Sequence, residues 1–116
     1  MAIRKPRGTQ DFLPEQMGNW HFIEDRMRKI TKAYGFSEIR TPIFEDTGLF
    51  LRGIGETTDV VQKEMYTFST GDKKESSFTL RPENTAAAVR AYLENKVYGK
   101  EALTKWFYMG PMFRHD

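Results

Sequence analysis

Residues 79 to 114 constrain the fold more than any other stretch. They begin T-L-R-P-E-N-T-A-A-A-V-R and, after a polar break, end K-W-F-Y-M-G-P-M-F-R. The pattern predicts a strand, a tight corner at Arg81-Pro82-Glu83-Asn84-Thr85, a helix over 85–97 and a closing strand. A strand-to-helix corner gathers side chains and free backbone N–H groups in one place. In the closing strand a period of two puts Trp106, Tyr108, Gly110, Met112 and Arg114 on one face. Lys105, Phe107, Met109, Pro111 and Phe113 take the other. A glycine inside an aromatic strand is usual where a ligand or another backbone comes close. A carboxylate at the corner, an arginine on the strand and a bare patch at Gly110 suit a small molecule carrying both charges. Glu83 and Arg114 are therefore expected to converge on one hollow. Val89, Tyr92 and Leu93 are the expected buried stripe of the intervening helix, whose three alanines favour close packing on a sheet.

Upstream, residues 1 to 14 form a basic arm punctuated by Pro6, Gly8 and Pro14, with Phe12-Leu13 as an apolar peg. Pro14 opens a helix. Trp20, Ile23, Met27, Ile30 and Tyr34 recur at spacings of three and four, one face of an amphipathic rod that ends at Gly35. Residues 36 to 44 alternate as a strand, and Pro42 makes it an edge. Such an edge beside a long helix suits a second subunit or is simply capped by the proline. Residues 45 to 50 predict a short helical turn capped by Asp46 or Thr47, and residues 52 to 58 a loop. Residues 65–68 and 77–80 predict a hairpin around a polar turn.

Composition removes several classes of function. Cysteine is absent, which excludes disulfides, thiol catalysis and zinc–thiolate sites. The net charge of +2 does not announce a nucleic-acid binder. Residues 52–58 miss the third glycine of a dinucleotide fingerprint, and no G-x-x-x-x-G-K phosphate loop occurs. Nothing resembles a signal peptide or a membrane span, so a soluble cytoplasmic protein is expected. The closing strand is expected to lack its partner, as in a piece of a longer protein.

Five ordered blocks carry a resemblance. They are Pro6-Arg7-Gly8-Thr9-Gln10-Asp11, then Tyr34-Gly35-Phe36-Ser37-Glu38-Ile39-Arg40-Thr41-Pro42, then Thr58-Asp59-Val60-Val61-Gln62-Lys63-Glu64-Met65-Tyr66-Thr67-Phe68. Thr79-Leu80-Arg81-Pro82-Glu83 and Gly110-Pro111-Met112-Phe113-Arg114-His115 complete the set. Together they resemble the N-terminal part of bacterial histidyl-tRNA synthetases, which are class II aminoacyl-tRNA synthetases. The resemblance implies an α+β fold, an antiparallel sheet flanked by helices, forming an incomplete class II catalytic core over residues 1–116. It implies that residues from about 15 to 44 match the first family motif, which builds a homodimer interface. Residues 104 to 116 match the opening strand of the second motif. The partner strand, the third motif with its ATP-binding arginine, the histidine-specific loops and the anticodon domain lie outside the match.

The same resemblance implies roles. Glu83 receives the ammonium of histidine, with Asn84 and Thr85 beside it. Arg114 reaches both the histidine carboxylate and the α-phosphate of ATP and is the catalytic residue. Asp116 helps place adenine. ATP with its magnesium, histidine and tRNA(His) are the implied substrates, with no zinc and no protein-held metal. Two residues depart from the family: Asn84 stands where glycine is usual, and Asp116 where glutamate is usual.

Without the resemblance, Glu83 reads equally as a helix N-terminal acid, Arg114 as a surface arginine and Arg81 as a salt-bridge partner holding the corner. His115 reads as incidental. Three functions stay open: a part of a histidine–tRNA ligase, inactive or feeble alone; a non-catalytic regulatory paralogue of the type found with ATP phosphoribosyltransferase; and an inactive structural fragment.

Overall fold

The computed structural model describes residues 2–54, 64–71 and 76–115. The chain divides into two compact units, Met1–Phe36 and Ser37–Asp116. The first is the arm and helix α1, Pro14–Ala33. Gln16 closes the start of α1: its N–H donates to the Leu13 carbonyl at 2.8 Å, and its Oε1 accepts from the Leu13 N–H at 3.0 Å. Phe12 packs edge-on against Trp20 with centroids 4.7 Å apart, so the apolar peg folds onto the helix. Gly35 takes φ +81°, a left-handed conformation, and its N–H donates to Lys32 while the Phe36 N–H donates to Thr31. The expected rod and its stop are both present. Its apolar stripe is not buried: Trp20, Ile23, Met27, Ile30 and Tyr34 all remain exposed.

The second unit holds β1 (Ser37–Glu38), β2 (Phe44–Asp46), α2 (Thr47–Ile54), β3 (Thr67–Ser69), β4 (Ser77–Leu80), α3 (Thr85–Glu94) and β5 (Trp106–Phe107). Strands β2, β4 and β3 form an antiparallel sheet in that order, with Glu45 and Thr67 both opposite Thr79. The expected β3–β4 hairpin is there. Its alternation sorts the faces. Phe44, Phe68 and Phe78 cluster on one side with centroids 5.7–6.0 Å apart. On the other, the fully buried Thr79 hydroxyl meets those of Thr47 (2.8 Å) and Thr67 (3.0 Å). Thr47 opens α2, where the Asp46 carboxylate accepts from the Gly48 N–H at 2.9 Å, the expected cap.

Four expectations are corrected. The strand over 36–44 is interrupted: β1 pairs with β5 in parallel, and residues 40–43 are irregular before β2. Pro42 lacks an N–H, and the Ile43 carbonyl is taken by the Arg81 N–H at 2.9 Å. The closing strand is short, because after Phe107 the backbone bonds to the corner and to Glu64 instead of to a neighbouring strand: Phe113 N–H to Arg81 and His115 N–H to Glu64, both 2.9 Å. Helix α2 runs to Ile54, into the stretch read as a loop; the rest of that loop, residues 55 to 58, lies outside the described residues. Helix α3 ends at Glu94, where the Asn95 side chain bonds the Ala91 carbonyl, and a single 3-10 turn Val97–Gly99 follows a left-handed Lys96.

The buried stripe of α3 also differs. Ala87 is fully buried, whereas Val89 is 52% and Leu93 56% exposed. The small alanine face lets the helix approach closely, and the branched residues are left on an open side. A partly buried ion pair ties α3 to the sheet instead. Arg90 Nη2 donates to Glu45 at 3.0 Å, its Nε lies 3.0 Å from the other Glu45 oxygen without pointing at it, and Nη1 donates to Glu94 at 2.7 Å. Nothing in the sequence pattern marked Glu45 and Arg90 as partners.

Candidate functional site

The corner before α3 is built from its own carboxylate. Glu83 turns back over the helix start: its oxygens accept the Thr85 N–H and the Ala86 N–H, the latter at 3.2 and 3.3 Å. Two of the helix's unpaired N–H groups are satisfied this way, and the negative charge sits at the positive end of the helix dipole. A carboxylate offers about four acceptor positions, so three N–H contacts leave room for an outside donor. Thr85 points its hydroxyl to Tyr108, 2.8 Å away.

Asn84 behaves differently from its neighbours. It is 3% exposed, and its Oδ1 accepts the Thr41 hydroxyl at 2.8 Å. Its backbone, φ −121° and ψ −1°, is not left-handed, so the corner does not require glycine there.

Arg114 reaches the corner from the far end of the chain. Its Nε donates to the Pro82 carbonyl at 2.8 Å, one residue before Glu83. The Pro82 carbonyl thus holds Arg114 at the corner, and Arg114 and Glu83 form no ion pair among the described residues. They do not jointly line a closed hollow. Glu83, Thr85, Leu49, Val89 and Leu93 border an open apolar cleft of about 690 Å³ that Arg114 does not line. Asp116 lies outside the described residues.

Gly110 has another reason to be bare. A Cβ there would stand 2.6 Å from Arg81 Nη2, so the space over the glycine is filled by a guanidinium of this chain. Arg81 is 7% exposed and makes no salt bridge among the described residues; its Nε donates to the Pro111 carbonyl (3.0 Å) and its Nη1 to the Thr41 carbonyl (3.3 Å). Its reading as a salt-bridge partner gives way to one as a tie between backbone segments. The sequence shows only an arginine at the corner and a glycine in the segment beyond α3, with nothing to link them.

The Arg90 guanidinium is pulled two ways. Burial lowers its pKa, and the carboxylates of Glu45 and Glu94 outweigh that and hold it above its ordinary value. Among the described residues no three acidic or imidazole side chains gather as metal ligands.

Comparison with known proteins identifies the family. The histidyl-tRNA synthetase family profile matches residues 8–116. The histidine–tRNA ligase of Pelotomaculum thermopropionicum is 58% identical over 116 residues, covering 100% of this chain and 27% of that protein. The crystal structure of apo Staphylococcus aureus histidyl-tRNA synthetase superposes with a TM-score of 0.79 at 47% identity, over 97% of this chain and 26% of that one. A Bacillus halodurans protein described as an ATP phosphoribosyltransferase regulatory subunit/histidyl-tRNA synthetase shares the fold, with a TM-score of 0.74 at 22% identity over 97% of this chain and 28% of that one. The chain spans about a quarter of the length of the relatives it matches. With the family profile matching residues 8–116, the chain belongs to the histidyl-tRNA synthetase family.

Proposed function

We propose that this chain supplies the amino-acid-sensing part of a histidine–tRNA ligase. Glu83 binds the ammonium of histidine by a charge-assisted hydrogen bond, and the Thr85 hydroxyl, held by Tyr108, stands beside it. Arg114 lies against the histidine carboxylate and the α-phosphate of ATP. A carboxylate oxygen attacks the α-phosphorus, the bond from that phosphorus to the bridging oxygen breaks, and pyrophosphate leaves with its magnesium. A hydroxyl of the terminal ribose of tRNA(His) then attacks the carbonyl of histidyl-adenylate, the anhydride bond breaks, and AMP leaves with histidine esterified to the tRNA. No protein nucleophile takes part. Arg114 stabilises charge as it develops, and the corner holds the reactants in line. Asn84 contributes through its bond to Thr41 instead of through the ligand. Asp116 is assigned to adenine by family pattern alone.

The observation that carries this reading is the Arg114 bond to the Pro82 carbonyl, which brings a cation from residue 114 to within one residue of an acid at a helix mouth. The half-exposed apolar stripe of α1 supports a homodimer, and the reading places the protein in the cytoplasm. The test is histidine-dependent ATP–pyrophosphate exchange by the full-length protein that carries this chain. Glu83→Gln and Arg114→Met should each lower exchange by about a hundredfold or more, the scale for losing one charge-stabilising group. Exchange that survives both changes refutes the assignment. The likeness to the Bacillus halodurans protein favours a second reading, a regulatory module; histidine binding with no exchange at all would support it.

A further inference from the structure

We infer that Arg81 is a positioning residue that fixes where Arg114 stands relative to Glu83. The inference rests on the proposed roles of those two residues. Glu83 and Arg114 reach the corner by different routes. Glu83 is held by the N–H groups of Thr85 and Ala86, which belong to α3 and owe nothing to the Arg81 side chain. Arg114 belongs to the irregular segment that follows β5, where few ladder bonds restrain the backbone.

That segment is fastened by Arg81. Its guanidinium donates to Pro111 at 3.0 Å and to Thr41 at 3.3 Å, and its backbone carbonyl accepts the Phe113 N–H at 2.9 Å. One buried side chain thus spans the corner, the segment after β1 and the segment that carries Arg114. Both side-chain acceptors are backbone carbonyls on different segments. A planar fork with donors in two directions satisfies both, and a point charge on a flexible stem cannot. Gly110 gives the clearance: with any other residue, a Cβ would sit 2.6 Å from Nη2 and push either the guanidinium or the segment aside. The glycine and the arginine are one device.

Losing that device should free Arg114 and leave Glu83 in place. The test separates the two ends of the amino acid in the full-length protein that carries this chain. The probe for the ammonium end is the amino alcohol of histidine, which keeps the ammonium and lacks the carboxylate; its affinity is read by calorimetry. The readout for Arg114 is kcat for pyrophosphate exchange. Arg81→Met should lower kcat about tenfold to a hundredfold, as expected for a misplacement near 1 Å. Amino-alcohol affinity should stay within about threefold, under half the free energy of a tenfold change. Gly110→Ala should reproduce the kcat loss, and Arg81→Met combined with Gly110→Ala should be no worse than Arg81→Met alone. Arg81→Lys, the gentler change if the methionine variant does not fold, should recover part of kcat.

An unchanged kcat in Arg81→Met, or an amino-alcohol affinity that falls in step with kcat, overturns the inference and makes Arg81 a general brace of the corner. Additive losses from Arg81→Met and Gly110→Ala also overturn it. A Glu83→Gln variant that binds the amino alcohol as well as the parent sinks the functional reading and this inference with it.

Discussion

The partly buried pair between Glu45 and Arg90 ties α3 to the sheet, and Glu45→Gln measures how strongly. The substitution keeps the shape and one acceptor oxygen and removes the charge. Two limits bracket its effect. Breaking a fully buried pair costs about 3–5 kcal/mol, because the remaining charge is stranded. An exposed pair contributes about 0.2–1 kcal/mol. Glu45 is 9% exposed and Arg90 29%, and Arg90 retains Glu94, whose own side chain is 69% exposed. The pair therefore falls between the limits, and we expect a loss of about 2 kcal/mol, a drop in melting temperature on the order of 10 °C for a domain this size. The assay is thermal unfolding of the parent, Glu45→Gln, Arg90→Met and the double variant. The double variant should lose less than the sum of the single ones, with a coupling of about 1–2 kcal/mol. Glu94→Gln, the exposed partner, should cost no more than about 0.5 kcal/mol. A Glu45→Gln loss under about 0.5 kcal/mol, or strict additivity, would refute the argument that burial makes this pair matter.

Other outcomes follow from the same geometry. Glu83→Ala should lower stability by about 0.5–2 kcal/mol by leaving two N–H groups at the start of α3 uncapped, and Glu83→Gln by less, as unfolding midpoints will register. Asn84→Gly, which restores the usual family residue, should destabilise by about 1–2 kcal/mol, since it deletes the buried bond to Thr41 and adds backbone freedom; a neutral result would mean the bond contributes nothing. Leu93→Ala should cost under about 1 kcal/mol, well below a core truncation, because the side chain is more than half exposed. For Arg90 the folded pKa is raised, so its contribution is present below its unfolded value and is lost only as pH climbs past the folded one. Both lie far on the alkaline side, so the stability gap between the parent and Arg90→Met should stay constant from neutrality to about pH 10 in pH-dependent melts.

The parts of the fold that were legible in the sequence are those governed by local rules. Helix α1 announced itself by period and by Pro14 and Gly35. The β3–β4 hairpin showed in two short runs around a polar turn, and Asp46 showed as a cap. The corner was also legible, because a strand, a proline and an alanine run leave few other ways to fold. What was not legible depended on long-range partners. Glu45 and Arg90 are 45 residues apart, and no periodicity links them. Val89 and Leu93 read as buried because apolar residues at helical spacing usually are; only packing reveals that Ala87 takes the inward face. The bare patch at Gly110 was visible, but its occupant was not, since the Arg81 side chain that fills it comes from a different segment. Parallel pairing of β1 with β5 was hidden for the same reason: two-residue strands carry almost no alternation to read.

The most direct measurement of the central claim is an NMR titration of the protein labelled at glutamate carboxyl carbons and backbone amides. Histidine should shift the Glu83 carboxyl signal and the Thr85 and Ala86 amides that donate to it. The des-amino analogue, imidazole propionate, should leave them still, because it has no ammonium to offer. Equal shifts with both compounds, or histidine-induced shifts confined to residues away from the corner, would contradict the assignment of Glu83 as the group that recognises the amino acid.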